Sequence, residues 1–362
     1  MMRSSVMRLR SVLISIMAIL GITVSVPQAN AALSDDWAFA FNNHLAPIGG
    51  FTLMDPTHQW SKFGGASGQV RSPGTGRYEV LFPKTTGKRG IVHVTSAGLQ
   101  PGWCQIASNW KMGNDGLHVF VNCYKHGGAL ANSQFSVLFT ESSGPIAAPP
   151  GAHDYVFANF QGTVLNEFNS SGGANFVGWG GAGSGLYKVF LPGAGPNDPS
   201  GNLQVTAAGA KPARCKVAEW YPSSTGQTVV VACFDAASKP YDTGWTLSYN
   251  RERPVIGEYG PPKRFGHIWV TPALPPLTNF NSAGATNTVS FGPGQYLVTF
   301  PKIGLKEDHV QVTAYGPGPN YCGLSNLWFT SATDGLVRNV ECYDAAGNLA
   351  KNDSFVAYTS RQ

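Results

Sequence analysis

Six cysteines have the most informative spacing in this sequence, because paired thiols either form disulfides or bind zinc. They occur as three pairs: Cys104 and Cys123, Cys215 and Cys233, and Cys322 and Cys342. In each pair a tryptophan follows the first cysteine after five or six residues, and turn-forming residues such as Gly113-Asn114-Asp115-Gly116 precede the second. Because residues 1–31 have the features of a secretory signal peptide, one cysteine pair in each of three stretches favours a disulfide that crosses a β-hairpin over a zinc site.

Histidines and carboxylates, the usual acid–base and metal-binding groups, form no catalytic pattern. There is no His-Glu-x-x-His motif, no Gly-x-Ser-x-Gly motif and no phosphate-binding glycine loop. The eight histidines neither recur at matching positions nor stand at metal-ligand spacing. Asp235 and Asp344 match each other, but Lys125 takes that place in the first segment, so turns are favoured over catalysis. We therefore predict no catalytic residue, no metal ligand and no cofactor.

Aromatic residues give the one positive indication of ligand binding, since sugar-binding modules stack ring faces on sugars. Trp110, Trp220 and Trp328 follow the cysteines and are expected to pack in the core rather than to contact a ligand. Trp60, Trp103 and Trp179 have no counterpart in the other segments. These three are therefore the candidates for exposed ligand contacts.

The strand-like blocks around the cysteine pairs occur in three copies along the chain. A strand-like block at 76–83 recurs at 185–192 and 294–301, and its tyrosines are Tyr78, Tyr187 and Tyr296. A second block, Val92-His93-Val94-Thr95, recurs at 203–206 and 310–313, and a glycine follows each time at 98, 209 or 316. The period is that of a small domain rather than of a solenoid repeat.

The repeat predicts three modules in the mature chain. Their expected boundaries are 32–144 (segment 1), 151–252 (segment 2) and 263–362 (segment 3). Proline-rich stretches at 145–150 and 254–262 separate them and read as short, stiff linkers.

Alternating apolar residues and abundant turn residues predict an all-β fold, with each segment a β-sandwich. The chain has 44 glycines and 25 prolines, and only 12% of its residues are charged. In segment 3, Gly292-Pro293-Gly294 predicts a hairpin turn. If Cys104 faces Cys123, Trp110 pairs with Leu117. The tryptophan of segment 2 comes one residue early, which predicts a bulge.

Residues 1–31 have the features of a secretory signal peptide: a basic start, an uncharged apolar stretch and Ala29-Asn30-Ala31. The full chain has a net charge of +5, with 25 basic and 20 acidic residues. Three of the basic residues, Arg3, Arg8 and Arg10, lie in the leader, so the mature chain has 22 basic and 20 acidic residues and a charge of +2. Without a basic run, we expect no nucleic-acid partner and no membrane span after the leader.

Several stretches resemble a module of secreted bacterial proteins, notably of actinobacterial type. They are Phe280-Asn281-Ser282-Ala283-Gly284 and residues 294–301, 310–316 and 342–347. The similarity covers essentially the whole predicted mature chain and is strongest in segment 3. That module is uncharacterised, so the resemblance implies export and modular organisation and adds nothing about mechanism.

The favoured function is that of a secreted (extracellular), non-catalytic binding or surface-interaction protein, with an extracellular glycan or cell-surface component as partner. Three similar modules in a row suit a repeated ligand, because linked sites raise avidity. Two alternatives remain. One is an extracellular hydrolase with a site in or between modules, which requires a cleft lined by two or more acids or by a histidine of shifted pKa. The other is a structural coat protein.

Overall fold

The computed structural model describes residues 36–45, 49–65, 67–98, 101–142, 152–257, 264–272 and 275–361. These ranges contain 27 β-strands and no helix, which confirms the all-β prediction. No helix there is long and apolar enough to cross a membrane. The predicted signal peptide and the first predicted linker, 145–150, lie outside the described residues.

The strand bounds follow the chain order. Segment 1 contains β1 (Asp36–Asn42), β2 (Thr52–Leu53), β3 (Gln59–Ser61), β4 (Gln69–Gly74), β5 (Arg77–Pro83), β6 (Ile91–Ala97), β7 (Gly102–Ile106), β8 (Lys111–Met112), β9 (Gly116–Lys125) and β10 (Gln134–Glu141). Segment 2 contains β11 (Ala152–Ala158), β12 (Val164–Asn169), β13 (Phe176–Trp179), β14 (Leu186–Pro192), β15 (Asn202–Ala208), β16 (Ala213–Ser223), β17 (Gly226–Asp235) and β18 (Gly244–Arg251). Segment 3 contains β19 (Phe265–Val270), β20 (Thr278–Asn281), β21 (Thr288–Gly292), β22 (Gln295–Phe300), β23 (Asp308–Ala314), β24 (Tyr321–Leu324), β25 (Phe329–Ser331), β26 (Asp334–Tyr343) and β27 (Ser354–Ser360).

Each segment supplies two four-stranded units that pack on each other. One unit, here called the axial sheet, has the strand order β6-β10-β1-β3, β15-β18-β11-β12 or β23-β27-β19-β20. The other, the disulfide sheet, has the order β4-β5-β9-β7, β13-β14-β17-β16 or β21-β22-β26-β24. Strands such as β14 alternate buried and exposed side chains, as expected for a sheet with one solvent face. Strands of the axial sheets, such as β1 and β23, are buried at every position, so both faces of these sheets are covered.

Three disulfides link the paired strands of the disulfide sheets, as the cysteine spacing predicted. Cys104 bonds to Cys123, Cys215 to Cys233 and Cys322 to Cys342. In every case the two cysteines stand directly opposite each other on antiparallel strands. By the chain-entropy model each closed loop contributes about 3 kcal/mol.

The detailed register of the first hairpin differs from the prediction. Leu117 pairs with Met112 rather than with Trp110. The ladder is interrupted between Ile106 and Lys111, and the pairing register after the interruption is shifted by two residues. The bulge predicted in segment 2 is confirmed, because the register shifts between Val217 and Glu219.

The turn at Gly292-Pro293-Gly294 is also confirmed. Gly292 pairs with Gln295, and Gly294 has a φ of 70°. Proline followed by a residue of positive φ is the pattern of a type II turn, which glycine adopts without strain.

The segments join through three parallel contacts that close a ring. Leu324 of segment 3 pairs with Ala97 of segment 1, Ile106 of segment 1 with Ala208 of segment 2, and Val217 of segment 2 with Tyr315 of segment 3. At each junction the amide of a repeated glycine donates a hydrogen bond to the preceding segment: Gly98 to Leu324 O (2.8 Å), Gly209 to Ile106 O (2.9 Å) and Gly316 to Val217 O (2.9 Å). The described segments therefore belong to one compact unit. The three-module count is compatible with this arrangement, and the proposed boundaries stay predictions.

The repeated tryptophans pack across the same junctions. Trp110 contacts Phe157 (4.8 Å between ring centroids), Trp220 contacts Trp269 (5.5 Å) and Trp328 contacts Phe41 (5.2 Å). All three tryptophans are buried, as expected. Each thus ties the hairpin of its own segment to the first strand of the next one in the ring.

Candidate functional site

The centre of the ring is formed by three strands that carry the repeated Val-x-Val-Thr-type block. On β6, β15 and β23, a threonine hydroxyl accepts the amide of the neighbouring segment's strand. These bonds run from Val94 N to Thr206 Oγ1 (3.1 Å), from Val205 N to Thr313 Oγ1 (3.0 Å) and from Val312 N to Thr95 Oγ1 (3.0 Å). The three bonds close a cycle around one axis.

The side chain two residues before each threonine completes this cycle. Thr95 donates to Gln311 Oε1 (2.7 Å) and Thr313 donates to Gln204 Oε1 (2.8 Å). In the third case His93 replaces the glutamine, and its Nδ1 lies 3.3 Å from Thr206 Oγ1. All six side chains are buried, so the bonds form where water does not compete for them.

Replacing Thr206 with valine is expected to cost about 1–3 kcal/mol of unfolding free energy. Valine keeps the shape but leaves the buried amide of Val94 without an acceptor. Thr206→Ser keeps the hydroxyl and is expected to cost less than Thr206→Val. Urea denaturation measures both, with Thr228→Val on the partly exposed side of β17 as a control. Equal stabilities of Thr206→Val and Thr206→Ser would contradict the role assigned to the hydroxyl.

A cavity of about 50 Å³ lies on this axis beside the threonine cycle. Its lining includes the first cysteine of each disulfide and the residues next to it. The residues just before these cysteines are Trp103, Arg214 and Tyr321. The Arg214 guanidinium lies 4.7 Å from the centre of the Trp103 ring and 4.3 Å from that of Tyr321, so it is held between two aromatic faces.

Lys216 is the most unusual residue of this cavity. Its side chain is only 3% exposed, and its Nζ has no hydrogen-bond partner among the described residues. Burial lowers the pKa of Lys216 to about 7; the nearby Asp353 raises it and Arg214 lowers it further. Burial in turn raises the pKa of Asp353, although the lysine opposes this. Arg214 and Lys216 were not predicted from the sequence, where their one signal is that they flank Cys215. The other segments have Trp103 and Gln105 or Tyr321 and Gly323 at these places.

The three tryptophans singled out as exposed candidates do not come together. Trp103 is buried (6% exposed), so its expected exposure was wrong; Arg214 and Tyr321, from the other two segments, cover its ring. Trp60 is half-buried, with the Arg361 guanidinium 3.9 Å from its ring centre. Their role in ligand binding stays a prediction.

Trp179 is half-buried and packs against the core of segment 2. It also has a counterpart that the sequence did not reveal. Trp179 pairs with Tyr187, and Phe291 pairs with the equivalent Tyr296. Phe291 is 53% exposed, so this edge of the disulfide sheet carries an aromatic ring in two segments.

Two grooves lie at equivalent junctions of the ring. Groove 3-1, of about 530 Å³, is bounded by Gly98, residues 131–134 and residues 325–327. Groove 1-2, of about 390 Å³, is bounded by Gly209, residues 241–244 and Asn109. Because Gly98 and Gly209 are repeat positions, the two grooves are built from matching parts of different segments.

Exposed apolar side chains and polar groups line both grooves. Leu45 in groove 3-1 is 56% exposed, and Phe160 in groove 1-2 is 52% exposed. The polar lining includes Lys125, Asn132, Gln134, Asn326 and Arg338 in groove 3-1, and Asn109, Asn159, Lys211, Asp242 and Thr243 in groove 1-2.

In the described part of the chain His118 contacts Glu79 and Asp115, and His58 contacts Asp308, but none of these residues lines the axial cavity or a groove. No group of three or more His, Cys, Asp or Glu side chains there is placed to hold a metal ion. Within the described ranges, Asp242 is the one carboxylate that lines the axial cavity or either groove, and it accepts hydrogen bonds from the amides of Gly183 (2.5 Å) and Gly185 (2.8 Å). Asp235 and Asp344 accept backbone amides in turns, in line with the turn interpretation.

Comparison with known proteins adds no assignment. No protein-family model, no curated protein and no solved structure matches this chain.

Proposed function

We propose that this chain is a secreted, non-catalytic binding protein whose partner is an extracellular glycan held in the grooves between segments. Three disulfides suit an oxidising compartment, and the predicted leader suits export. The observation that carries the proposal is that grooves 3-1 and 1-2 are formed by matching positions of different segments.

The chemistry of the grooves supports a sugar ligand. A glycan presents apolar ring faces together with many hydroxyl groups, and amide and charged side chains suit the hydroxyls. Phe160 and Leu45 offer apolar surface next to Asn159 and Asn326. Groove volumes of about 390 and 530 Å³ lie in the range of ordinary small-ligand sites.

Two grooves on one body also suit a repeating polymer. Occupation of the first groove raises the effective concentration of the next repeat unit at the second, so modest single-site affinity becomes strong retention. Hydrolysis of a glycan is less favoured, since glycosidases need two carboxylates facing the bond and neither groove is lined by two.

The test is retention of the protein on insoluble chitin, cellulose and purified bacterial cell wall. We expect Phe160→Ala and Leu45→Ala each to weaken binding about tenfold, because each removes apolar surface in contact with the sugar. The double variant is expected to lose more than either single one, as avidity is lost. Both residues are more than half exposed, so the folded state should tolerate the changes.

Matched controls are Phe176→Ala and Leu53→Ala. Phe176 is 61% exposed and Leu53 is 47% exposed, and neither lines a groove. These controls are expected to bind like the parent chain. The proposal fails if the parent is retained on none of the three materials, or if the controls weaken retention as much as the groove variants.

A further inference from the structure

Several hydrogen-bond donors around the axial cavity are left without an acceptor. Arg214 Nε and Nη1, Lys216 Nζ and Trp103 Nε1 are buried and have no partner within the described ranges. All three residues line the cavity. Unpaired buried donors are rare in native proteins, and each one calls for an explanation such as a bound water or ion.

Two of these three residues are cations, and their charges are poorly compensated. Asp353 interacts with Lys216, and Asp235 interacts with Arg214. Neither carboxylate comes within ion-pair distance of these cations in the described residues. Arg214 Nη2 donates hydrogen bonds to Ser238 Oγ (2.8 Å) and Asp235 O (3.4 Å), and the guanidinium also interacts with the Tyr321 hydroxyl, while Nε and Nη1 lack a hydrogen bond of ordinary geometry to any described residue. Buried positive charge without a matching partner is costly.

The threonine hydroxyls do not relieve this imbalance. Each already accepts a backbone amide, and two of the three donate their proton to a glutamine oxygen. The cavity therefore presents free donors and positive charge on the side of Arg214 and Lys216. That combination is the one that recognises anions.

We propose that the axial cavity binds a small oxyanion of the phosphate or sulfate class between Arg214 and Lys216. The guanidinium supplies a rigid pair of donors, and the ammonium supplies a point charge. A volume of about 50 Å³ exceeds the roughly 30 Å³ that one water takes in the liquid and leaves room for one tetrahedral oxyanion. Pro319 and Asn320 line the cavity and are partly exposed, so the anion enters at that end.

The test is calorimetric titration of the full chain with inorganic phosphate, with sulfate and with glycerol 3-phosphate, in a chloride buffer. We expect saturable binding by the parent chain. Lys216→Met is expected to weaken it about tenfold to a hundredfold, because one charged hydrogen bond is lost. This variant breaks no hydrogen bond between described residues, so it should fold. Lys188→Met, which changes an exposed lysine of the same segment that lines neither the axial cavity nor a groove, is the matched control and should bind normally.

The two phosphate probes distinguish a free ion from a terminal group. Binding of inorganic phosphate alone assigns a free oxyanion, whereas binding of both assigns a phosphate group whose carrier projects past Asn320. Absence of saturable binding to any probe, or equal affinity in Lys216→Met and the parent, overturns the proposal. The grooves share neither Arg214 nor Lys216, so such a result leaves the glycan proposal to its own test.

Discussion

Lys216→Met is expected to stabilise the protein by about 4 kcal/mol at pH 7 in a buffer free of phosphate and sulfate. The Lys216 side chain is buried and its pKa is lowered to about 7, against the ordinary value of 10.5. Folding therefore removes a proton that the unfolded chain holds, and this costs free energy. Methionine has a similar length and no charge, so it fills the same space without the cost.

The pH dependence has a definite sign. The folded-state pKa lies below the unfolded one, so the unfolded chain binds more protons between pH 7 and about 10.5, and the parent becomes more stable as pH rises through this window. From pH 7 to 9 the expected gain is about 2 kcal/mol. Lys216→Met removes this pH dependence, so the unfolding free energies of the variant and the parent converge at high pH. Arg214 and Asp353, the charged groups that interact with Lys216, are unchanged in this comparison.

Urea denaturation at pH 7, 8 and 9 measures the effect. Lys211→Met removes one positive charge from the surface of the same segment and should keep the slope of the parent. If Lys216→Met is less stable than the parent at pH 7, the lysine is paired in the folded state and its charge is compensated.

Acid is expected to unfold the protein steeply because four histidines are buried in their neutral form. Burial lowers the pKa of His93, His153, His267 and His309 to about 3. Each lowered pKa favours the unfolded state below pH 6.5, where the unfolded chain takes up a proton and the folded chain does not. Each histidine then costs about 2 kcal/mol at pH 5, so together they approach the whole stability of an ordinary domain.

His93→Gln is the sharpest test, because glutamine stands at the matching positions 204 and 311. The amide can bond to Thr206 as Gln311 bonds to Thr95. We expect stability near that of the parent at pH 7.5 and a gain of about 2 kcal/mol at pH 5, with about one proton fewer taken up on unfolding. His153, His267 and His309 keep their lowered pKa values in this variant, so their titrations persist.

Denaturation at several pH values between 7.5 and 5 gives the proton uptake. His93→Ala serves as the comparison, since it also removes the titrating group but supplies no partner for Thr206. It is expected to lose stability at pH 7.5. A His93→Gln variant that retains the full acid slope of the parent would show that His93 is protonated in the folded state.

Local features were predictable from the sequence because their causes lie close together along the chain. Each disulfide closes a hairpin whose two strands are joined by a short turn, so spacing and turn residues were sufficient to pair Cys104 with Cys123. The bulge near Glu219 followed from a tryptophan displaced by one residue. The predicted pairing of Leu117 with Trp110 was wrong. The interruption of the ladder between Ile106 and Lys111 cannot be read from the spacing of cysteine and tryptophan.

The candidate sites were not predictable in the same way. Trp103 lacks a counterpart in sequence and was assigned to the surface, yet Arg214 and Tyr321 from two other segments bury it. Trp179 and Phe291 occupy one register position, but loops of different length hide this in the sequence. Grooves 3-1 and 1-2 exist because neighbouring segments meet at Gly98 and Gly209.

The chain's own residue pattern established a β fold, three covalently stapled hairpins and the recurring Val-x-Val-Thr-type block, since strand alternation and turn chemistry act over a few residues. Packing in three dimensions decided that Thr95, Thr206 and Thr313 meet in one hydrogen-bonded cycle and that Lys216 is buried beside it. The physical reason is distance along the chain. The partner of each threonine lies more than 100 residues away, and only the convergence of three distant strands buries the hydrogen-bonded cycle.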